Sequence, residues 1–440
     1  MKVLTVLLVC VFCCVTVAAF GQTPAQTPAA SPQTSTAAND AAEQRIRDLV
    51  ERVIALEGQV RMLQQQAAAN GSGGGTASQA AATGTAPEST SQAAAAGQNE
   101  IAAAPPPDQA SIGGATGMAK ALNPDISLIG NFVGSAGHNT VAGIPSMQMR
   151  ESELGVQAVV DPYARADFFI SFGEEGVALE EGYITFTALP AGFVAKVGKM
   201  RSAFGKVNTM HAHVLPWIDR PLVTDNLVGG EDGINDAGFS ITRGFAGPKG
   251  IYLEATGQLY RGDSADVFEQ HQKSDVSTVA HLRGYHDITE STNLDIGVSY
   301  ARGHNDAGAD ATTSLYGVDA TLRWKPLRRS IYHSFIARSE FVWSQRQQLP
   351  VEQRAFGMFA SADYQLGRRW FMGGRFDWAD RARDASLTDK GGAFTVTYWP
   401  SEFAQLRGEY RHVTYAGDIQ ANELRMQVLF AIGAHGAHPF

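Results

Sequence analysis

Apolar side chains recur at every second position through most of the chain after residue 123, in segments of roughly ten residues. In the last segment, one face carries Leu424, Met426, Val428, Phe430 and Ile432. The intervening positions begin with Glu423, Arg425 and Gln427. Segments 404–415 and 370–380 likewise place charged residues on the same face as other charged residues. This period indicates β-strands with one apolar and one polar face.

Sixteen such segments can be marked, an even number that is typical of bacterial membrane barrels. They lie near residues 125–134, 152–161, 164–173, 178–189, 193–202, 237–245, 250–261, 277–288, 292–303, 312–325, 333–344, 354–366, 370–379, 391–399, 404–415 and 423–433. We therefore predict an all-β fold, a 16-stranded antiparallel transmembrane β-barrel over residues 123–440, preceded by a short coiled coil and a disordered linker.

A soluble β-sandwich would show the same alternation with its apolar face inside, so other features must separate the two folds. Odd-numbered connections are long, near 135–151, 203–236, 262–276 and 304–311, whereas even-numbered ones such as 162–163, 190–192 and 400–402 are short. A barrel with both ends in the periplasm alternates its connections in this way. Aromatic residues at segment ends match interfacial girdles, namely Trp324, Trp343, Trp370, Tyr398 and Trp399.

The N-terminal region predicts export. Lys2 precedes an apolar run that ends in small residues, which is typical of a secretory signal peptide over residues 1–21. Cys10, Cys13 and Cys14 all lie in this segment, so a disulfide or thiolate site is not expected after cleavage. Residues 22–42 and 67–122 are rich in Ala, Gly, Ser, Gln, Thr and Pro, a composition that predicts disorder and a flexible linker respectively.

Residues 43–66 carry a heptad pattern that predicts a short coiled coil. Arg52 and Glu57 occupy g and e positions suited to an interchain ion pair, and the 52–57 sequence looks like a motif that favours three strands. The shapes of the core residues instead favour two strands, and a solitary amphipathic helix is a further alternative. We expect a homotrimer, with the oligomerisation residues Ile46, Leu49, Arg52, Val53, Leu56, Glu57, Val60 and Leu63.

Segment 196–205 reads Lys-Val-Gly-Lys-Met-Arg-Ser-Ala-Phe-Gly, which resembles the Gly-Lys-x-x-x-x-Phe-Gly core of phosphate-selective porin O/P-type proteins. Segments 219–222, 229–233, 236–238 and 122–127 extend this resemblance across the predicted barrel. It implies an outer-membrane porin from an uncharacterised porin-like branch. The lysine and arginine ladder of the phosphate-selective relatives cannot be placed residue by residue, so phosphate selectivity is not implied.

The composition argues against two classes of protein. The net charge is −9 and the mean hydropathy is −0.13, which is neither the basic excess of a nucleic-acid-binding protein nor the apolarity of a helical membrane protein. No nucleophile elbow, phosphate-binding loop or zinc-protease motif occurs in the sequence. We therefore predict no enzyme activity and no cofactor.

Strand parity predicts which charged side chains line the pore. They contain both signs of charge, so they could make a transverse field across the lumen, or simply pair between neighbouring strands. Four arginines near the closing seam suggest some anion preference. The set is Arg165, Asp167, Lys196, Glu254, His281, Arg283, Asp295, Asp319, Arg323, Arg338, Glu340, Arg375, Asp377, Arg407, Glu409, Arg411, Glu423 and Arg425.

The connection from about residue 203 to 236 is too long for an idle loop. Its mixture of charged and aromatic residues predicts a constriction loop that folds into the barrel. The candidate residues are Lys206, His211, His213, Trp217, Asp219, Arg220, Glu231 and Asp232.

Two histidine pairs invite a zinc site. They are His211 with His213 and His435 with His438. Each pair lacks an evident third ligand in the sequence, so no metal site is predicted.

Together these patterns predict a porin-like channel in a bacterial outer membrane, with its N-terminal segment in the periplasm, for passive diffusion of small polar solutes or ions. The alternatives are a structural tether with a periplasmic coiled coil and a substrate-specific receptor. The expected partners are outer-membrane lipid, further copies of the chain, and the barrel-insertion machinery through Phe440.

Overall fold

The computed structural model describes residues 124–433, except residues 143, 175, 265 and 349. The predicted signal peptide (1–21), disordered segment (22–42), coiled coil (43–66) and linker (67–122) therefore lie outside the described residues, as do His435, His438 and Phe440. In the part of the chain that is described, no helix has the length and apolarity needed to cross a membrane.

Each of the sixteen alternating segments forms a strand, and the first and last strands pair to close an antiparallel barrel. The predicted 16-stranded antiparallel barrel is confirmed. The strands are β1 Asp125–His138, β2 Met147–Asp161, β3 Ala164–Gly173, β4 Gly176–Phe186, β5 Phe193–Arg201, β6 Asn235–Ala246, β7 Tyr252–Tyr260, β8 Ser277–Thr289, β9 Thr292–His304, β10 Thr312–Trp324, β11 Phe335–Gln348, β12 Val351–Gly367, β13 Trp370–Arg381, β14 Asp384–Ser401, β15 Ala404–Tyr415 and β16 Ile419–Gly433. One short helix, α1 (Leu222–Leu227), lies between β5 and β6.

Several strands extend beyond their predicted bounds at the end of the barrel that carries the odd-numbered connections. Strand β2 begins at Met147 and β14 at Asp384, where the sequence is too polar to show a clear alternation. As a result, the connections after β11, β13 and β15 are tight turns. At the other end, the connection between β10 and β11 spans residues 325–334 and is longer than its neighbours.

The barrel has a polar inner face and an apolar outer face. Along β15, Arg407, Glu409 and Arg411 are buried, while the alternating Leu406 and Tyr410 are exposed. The same division holds along β16, where exposed side chains include Leu424, Met426, Phe430 and Ile432. The polarity is the inverse of that of a soluble sandwich, because the charged positions point inward.

Among the described residues, aromatic side chains cluster on the outer face near each end of the barrel. At the end with the even-numbered turns, the rings of Trp370 and Tyr398 lie 4.6 Å apart. At the opposite end, Phe356 lies between Trp343 and Trp378, at 5.3 Å and 5.5 Å. Trp399 is buried on the inner face instead, so its assignment to a girdle was wrong: it follows Tyr398 directly, and neighbouring positions of a strand face opposite ways.

Candidate functional site

The connection between β5 and β6, residues 202–234, folds into the barrel, and we call it the inner loop. It contains two 3₁₀ turns, Val207–Thr209 and Ala212–Val214, followed by α1. Its apolar side chains are almost entirely buried. They pack against the inner wall in one cluster that includes Phe204, Leu215, Trp217, Leu222, Val223, Leu227, Val342 and Phe359.

Two glycines allow the inner loop to approach the wall closely. A Cβ at Gly357 of β12 would lie 2.8 Å from Val223 of α1, and one at Gly317 of β10 would lie 3.1 Å from the Phe204 ring. Strand glycines commonly mark such close approaches. The wall at β10–β12 is therefore shaped to receive the apolar side of the loop.

The start of the inner loop is held by side chains of β9 and β11. Glu340 accepts hydrogen bonds from the backbone N–H groups of Lys206 and Val207, the latter at 2.7 Å. The Lys206 ammonium lies 3.2 Å from Asp295, and Ser299 accepts the Gly205 N–H at 2.9 Å. These bonds satisfy backbone donors that would otherwise be buried without partners.

The middle of the inner loop contacts arginines of β13, β15 and β16. Asp219 lies 2.8 Å from Arg375 of β13, 2.8 Å from Arg411 of β15 and 3.1 Å from Arg425 of β16. The Arg375 guanidinium also lies over the Trp217 ring, 4.9 Å from its centroid. One loop carboxylate therefore joins three strands of the wall.

The backbone around Asp219 is bound by the same wall. Arg407 donates to the carbonyl oxygens of Leu215 and Trp217, at 2.9 Å and 3.1 Å. Glu409 accepts the Ile218 N–H at 3.1 Å. Because these wall groups are charged and buried, the hydrogen bonds are of the stronger kind.

Other polar residues hold the loop to itself. Arg220 donates to the carbonyl oxygens of Val207 and Met210, and Asn208 donates to those of Ser202 and Ile234. Near the return to β6, Glu231 pairs with Arg150 of β2 at 2.7 Å. The Asp232 side chain is exposed, and its backbone carbonyl accepts a hydrogen bond from Arg201.

His211 is buried among glutamates of β2 and β4. Its Nδ1 lies 2.8 Å from Glu153 and 3.0 Å from Glu180, and its Nε2 lies 2.8 Å from Glu181. Burial by itself lowers the pKa of His211, but these three carboxylates raise it well above its ordinary value. His213 lies beside it, with Nδ1 3.6 Å from Glu153.

Two β-bulges shape this acidic wall. Phe169 and Ile170 of β3 pair with Glu181 and Leu179, so Glu180 is the extra residue of β4. Asn131 and Phe132 of β1 pair with Glu151 and Met149, so Arg150 is the extra residue of β2. A bulge redirects side chains, which explains how the consecutive residues Glu180 and Glu181 both contact His211.

No family model matches the chain. One relative, an uncharacterized protein of Aquifex aeolicus, is 26% identical over an alignment of 390 positions, and the match covers 73% of this chain and 81% of the relative. The resemblance to phosphate-selective porin O/P-type proteins is thus not confirmed by a family match.

Among solved structures, the chain is similar to an anion-selective porin from Comamonas acidovorans, with 11% identity and a TM-score of 0.49 over 70% of this chain and 100% of that one. The outer membrane channel DcaP of Acinetobacter baumannii gives 13% identity and a TM-score of 0.48 over 70% and 98%. At this low similarity, the function of neither protein is carried over to this chain.

The structure places the predicted pore-lining residues on the inner face. Many of them pair with each other, as do Arg165 with Asp167 at 2.6 Å and Arg283 with Asp295 at 2.7 Å. Others bind the inner loop, as described for Glu340 and Arg375. Of the predicted loop residues, Lys206, His211, His213, Trp217 and Asp219 contact the wall, and Arg220 contacts the loop itself.

Sequence reasoning missed the acidic wall around His211. The alternation places Glu151 in a connection, because β2 begins earlier than its apolar pattern, and the predicted pore-lining residues do not include Glu153, although it lies on the inner face. In a regular strand Glu180 and Glu181 point to opposite faces. The available signal was the number of acidic residues itself, since segment 151–153 reads Glu-Ser-Glu and Glu180 is followed by Glu181.

Asp225 of α1 supplies a testable pH dependence. Its side chain is open to the lumen, but the surrounding wall desolvates it. Desolvation, together with the nearby Asp219, raises the pKa of Asp225 to about 7. The charges of Arg411, Arg220 and Arg375 oppose this shift. Protonation removes a negative charge as the pH falls through this value. We expect the reversal potential to shift toward anion selectivity between pH 8 and pH 6.

The matched variants are Asp225→Asn and Asp232→Asn, which remove one carboxylate each from the same loop. The first should lose most of this pH-dependent shift and the second should retain it. An equal shift in both variants would assign the titration to another group.

Proposed function

We propose that this chain is a porin-like channel of a bacterial outer membrane that passes small polar solutes or ions by passive diffusion. The observation that carries the proposal is a closed barrel with a charged inner face and an apolar outer face, crossed by a folded inner loop. Closure gives each of the sixteen described strands a neighbour on both sides, which a spanning β structure requires in lipid.

The outer face supports a membrane location. Large apolar side chains are exposed on strands around the barrel, as in Phe239 of β6, Ile296 of β9 and Phe376 of β13, which is 52% exposed. Soluble proteins rarely expose continuous apolar surfaces of this extent. The two aromatic clusters, Trp370 with Tyr398 and Trp343 with Phe356 and Trp378, fit the two interfaces of a bilayer.

The lumen supports a restricted channel rather than an open one. The inner loop contacts β2 and β4 through His211, β9 and β11 at its start, and β13, β15 and β16 through Asp219. A segment that touches the wall on several sides narrows the passage. We propose that the inner loop is the constriction and that the charged inner face lines the pore.

Any anion preference should be modest. Arg375, Arg411 and Arg425 are paired with Asp219 and with carboxylates of the wall, and Arg407 donates to backbone carbonyls. The positive charges of Arg375, Arg411 and Arg425 are therefore largely compensated where they lie. Selectivity then depends on charges that remain open to the lumen, such as Asp225.

The test is single-channel recording of the purified protein in a planar bilayer. We expect stepwise openings with ohmic conductance, and a reversal potential in a salt gradient that shows weak selectivity. Folding is checked separately by the heat-dependent change in gel mobility that closed barrels show.

Folded protein without conductance would contradict the channel and favour the tether. Conductance that appears only with a particular ligand would favour the receptor. The homotrimer, the periplasmic coiled coil over residues 43–66 and recognition through Phe440 concern residues that the structure does not describe, and they stay predictions.

A further inference from the structure

Six buried or nearly buried side chains gather where the inner loop meets β2 and β4. We call them the histidine–glutamate cluster, and they are Glu151, Glu153, Glu180, Glu181, His211 and His213. Within each of two triads, one ligand atom per residue lies within 4.8 Å of the others: Glu151, Glu153 and His213, and Glu153, Glu180 and His211. Glu153 belongs to both triads, so the two triads adjoin each other.

The spacing of these atoms suits a small cation. Four ligands at bond lengths of about 2.0–2.2 Å stand roughly 3.3–3.6 Å apart in a tetrahedron. The His211 Nδ1 lies 2.8 Å from Glu153 and 3.0 Å from Glu180, and the His213 Nδ1 lies 3.6 Å from Glu153. Rotations of these side chains would bring the atoms into a coordination shell.

The second ring nitrogen of His211 is held as in known metal sites. Its Nε2 lies 2.8 Å from Glu181, and the other oxygen of Glu181 accepts the backbone N–H of Arg201 at 2.7 Å. A metal-bound histidine almost always donates its other N–H to a carboxylate, carbonyl or water, which fixes the ring. Phe169 packs against the same ring at 5.1 Å and limits its rotation further.

The wall is built to bring these carboxylates together. The bulge at Glu180 allows two consecutive glutamates to reach His211, and the bulge at Arg150 lies directly before Glu151. Bulges of this kind recur next to functional sites because they redirect side chains. The two bulges lie in different strands, one next to Glu151, which is grouped with His213, and the other at Glu180, which is grouped with His211.

The charge of the cluster calls for a cation. Four carboxylates are gathered here, and Arg201 contributes a permanent positive charge through its contact with Glu180 at 3.3 Å. Buried carboxylates in such excess are costly unless a cation or protons compensate them. In the arrangement described, the His211 ring contacts carboxylates through both nitrogens, which requires it to carry two protons.

We propose that the histidine–glutamate cluster binds one divalent transition-metal ion of the zinc class. Glu153, Glu180 and His211, which form one of the two triads, are ligands, His213 completes the set from beside Glu153, and Glu181 orients His211 from outside. Two imidazoles with carboxylates form a ligand set that suits zinc. The ion takes the place of the proton on the His211 Nδ1, so binding releases protons.

Such an ion would join the inner loop to β2 and β4 by coordination bonds. The site thus concerns how the loop is held, and it does not depend on whether the barrel conducts.

The experiment measures zinc binding to the purified protein, which carries no histidine tag and has been treated with a chelator. We expect calorimetry to show one zinc ion per chain, with heats that vary with the ionisation enthalpy of the buffer because protons are released. Cobalt added in place of zinc should give the intense visible absorption of a four-coordinate site.

The matched variants are His211→Ala with His213→Ala, and His435→Ala with His438→Ala. Each double variant removes two histidines that are close in sequence, so the two are matched. Zinc binding should be lost in the first, which removes both histidines of the cluster, and retained in the second. Glu181→Gln, which keeps the shape of the side chain, should weaken zinc binding by about 10–100-fold with unchanged stoichiometry.

Several results would overturn the proposal. They are an absence of zinc binding by folded wild-type protein, equal binding by the two histidine variants, and a weak cobalt spectrum of the six-coordinate type. If the loop variant does not fold, the Glu181→Gln affinity and the wild-type cobalt spectrum still decide. Conductance recorded on the same samples tests the channel separately.

Discussion

Replacing residues 204–232 of the inner loop by a four-residue Gly-Ser turn should raise single-channel conductance several-fold. The loop fills much of the lumen with buried side chains such as Trp217 and Phe204, and conductance follows the cross-section of the narrowest part of a pore. The deletion is structurally permitted, because the Ser202 N–H donates to the Ile234 carbonyl at 2.8 Å and the ends of the loop are already adjacent.

The control is the same turn placed between β1 and β2, in place of residues 139–146, where the connection lies on the rim. That variant should conduct as the wild type does. If both variants fold, as judged by gel mobility, and the inner-loop variant keeps wild-type conductance, the loop does not form the constriction.

Substituting Asp219→Ala should release the middle of the inner loop. Arg375, Arg411 and Arg425 would lose the carboxylate that they share, and removing one partner of a buried ion pair costs about 3–5 kcal/mol. Hydrogen exchange should show this loss as a lower opening free energy at the Ile218 amide, which donates to Glu409. Loss of this negative charge beside the three arginines should also shift the reversal potential toward anion selectivity.

Asp232→Ala is the matched control, since it removes the same charge from the same loop at an exposed position. It should leave the exchange at Ile218 unchanged and move the reversal potential less. Equal effects from the two variants would mean that net charge alone, and not the pairing at Asp219, controls the channel.

The fold could be predicted from the sequence because the rule that decides it is local. In an alternating strand the sequence alone shows which side chains share a face, as Arg407, Glu409 and Arg411 do. This holds whatever the neighbouring strands are. The predicted strand bounds were wrong where polar residues continue a strand beyond its apolar positions, as at the start of β14. There the hydrogen bonds of a neighbouring strand extend the ladder, and no apolar pattern records them.

The candidate site was only partly predictable, because contacts between segments that are distant in sequence bring its residues together. The length of the 203–236 connection and its mixed composition indicated a loop folded into the barrel, and His211 with His213 indicated a pair of imidazoles. The carboxylates that face them depend on the register of β2 and β4. One extra residue, Glu180, changes which side chains face inward, and single-strand periodicity does not reveal such a shift.

The inner loop also has a consequence for the order in which the chain folds. Its hydrogen bonds to the wall join residues far apart in sequence, by 133 positions from Val207 to Glu340 and by 192 from Leu215 to Arg407. Such contacts form late, because a long stretch of chain must first be brought into place. The surface that receives Asp219 is made of β13, β15 and β16, which are among the last strands in the chain. The segment that narrows the lumen therefore cannot reach its final position until nearly the whole cylinder around it has been assembled.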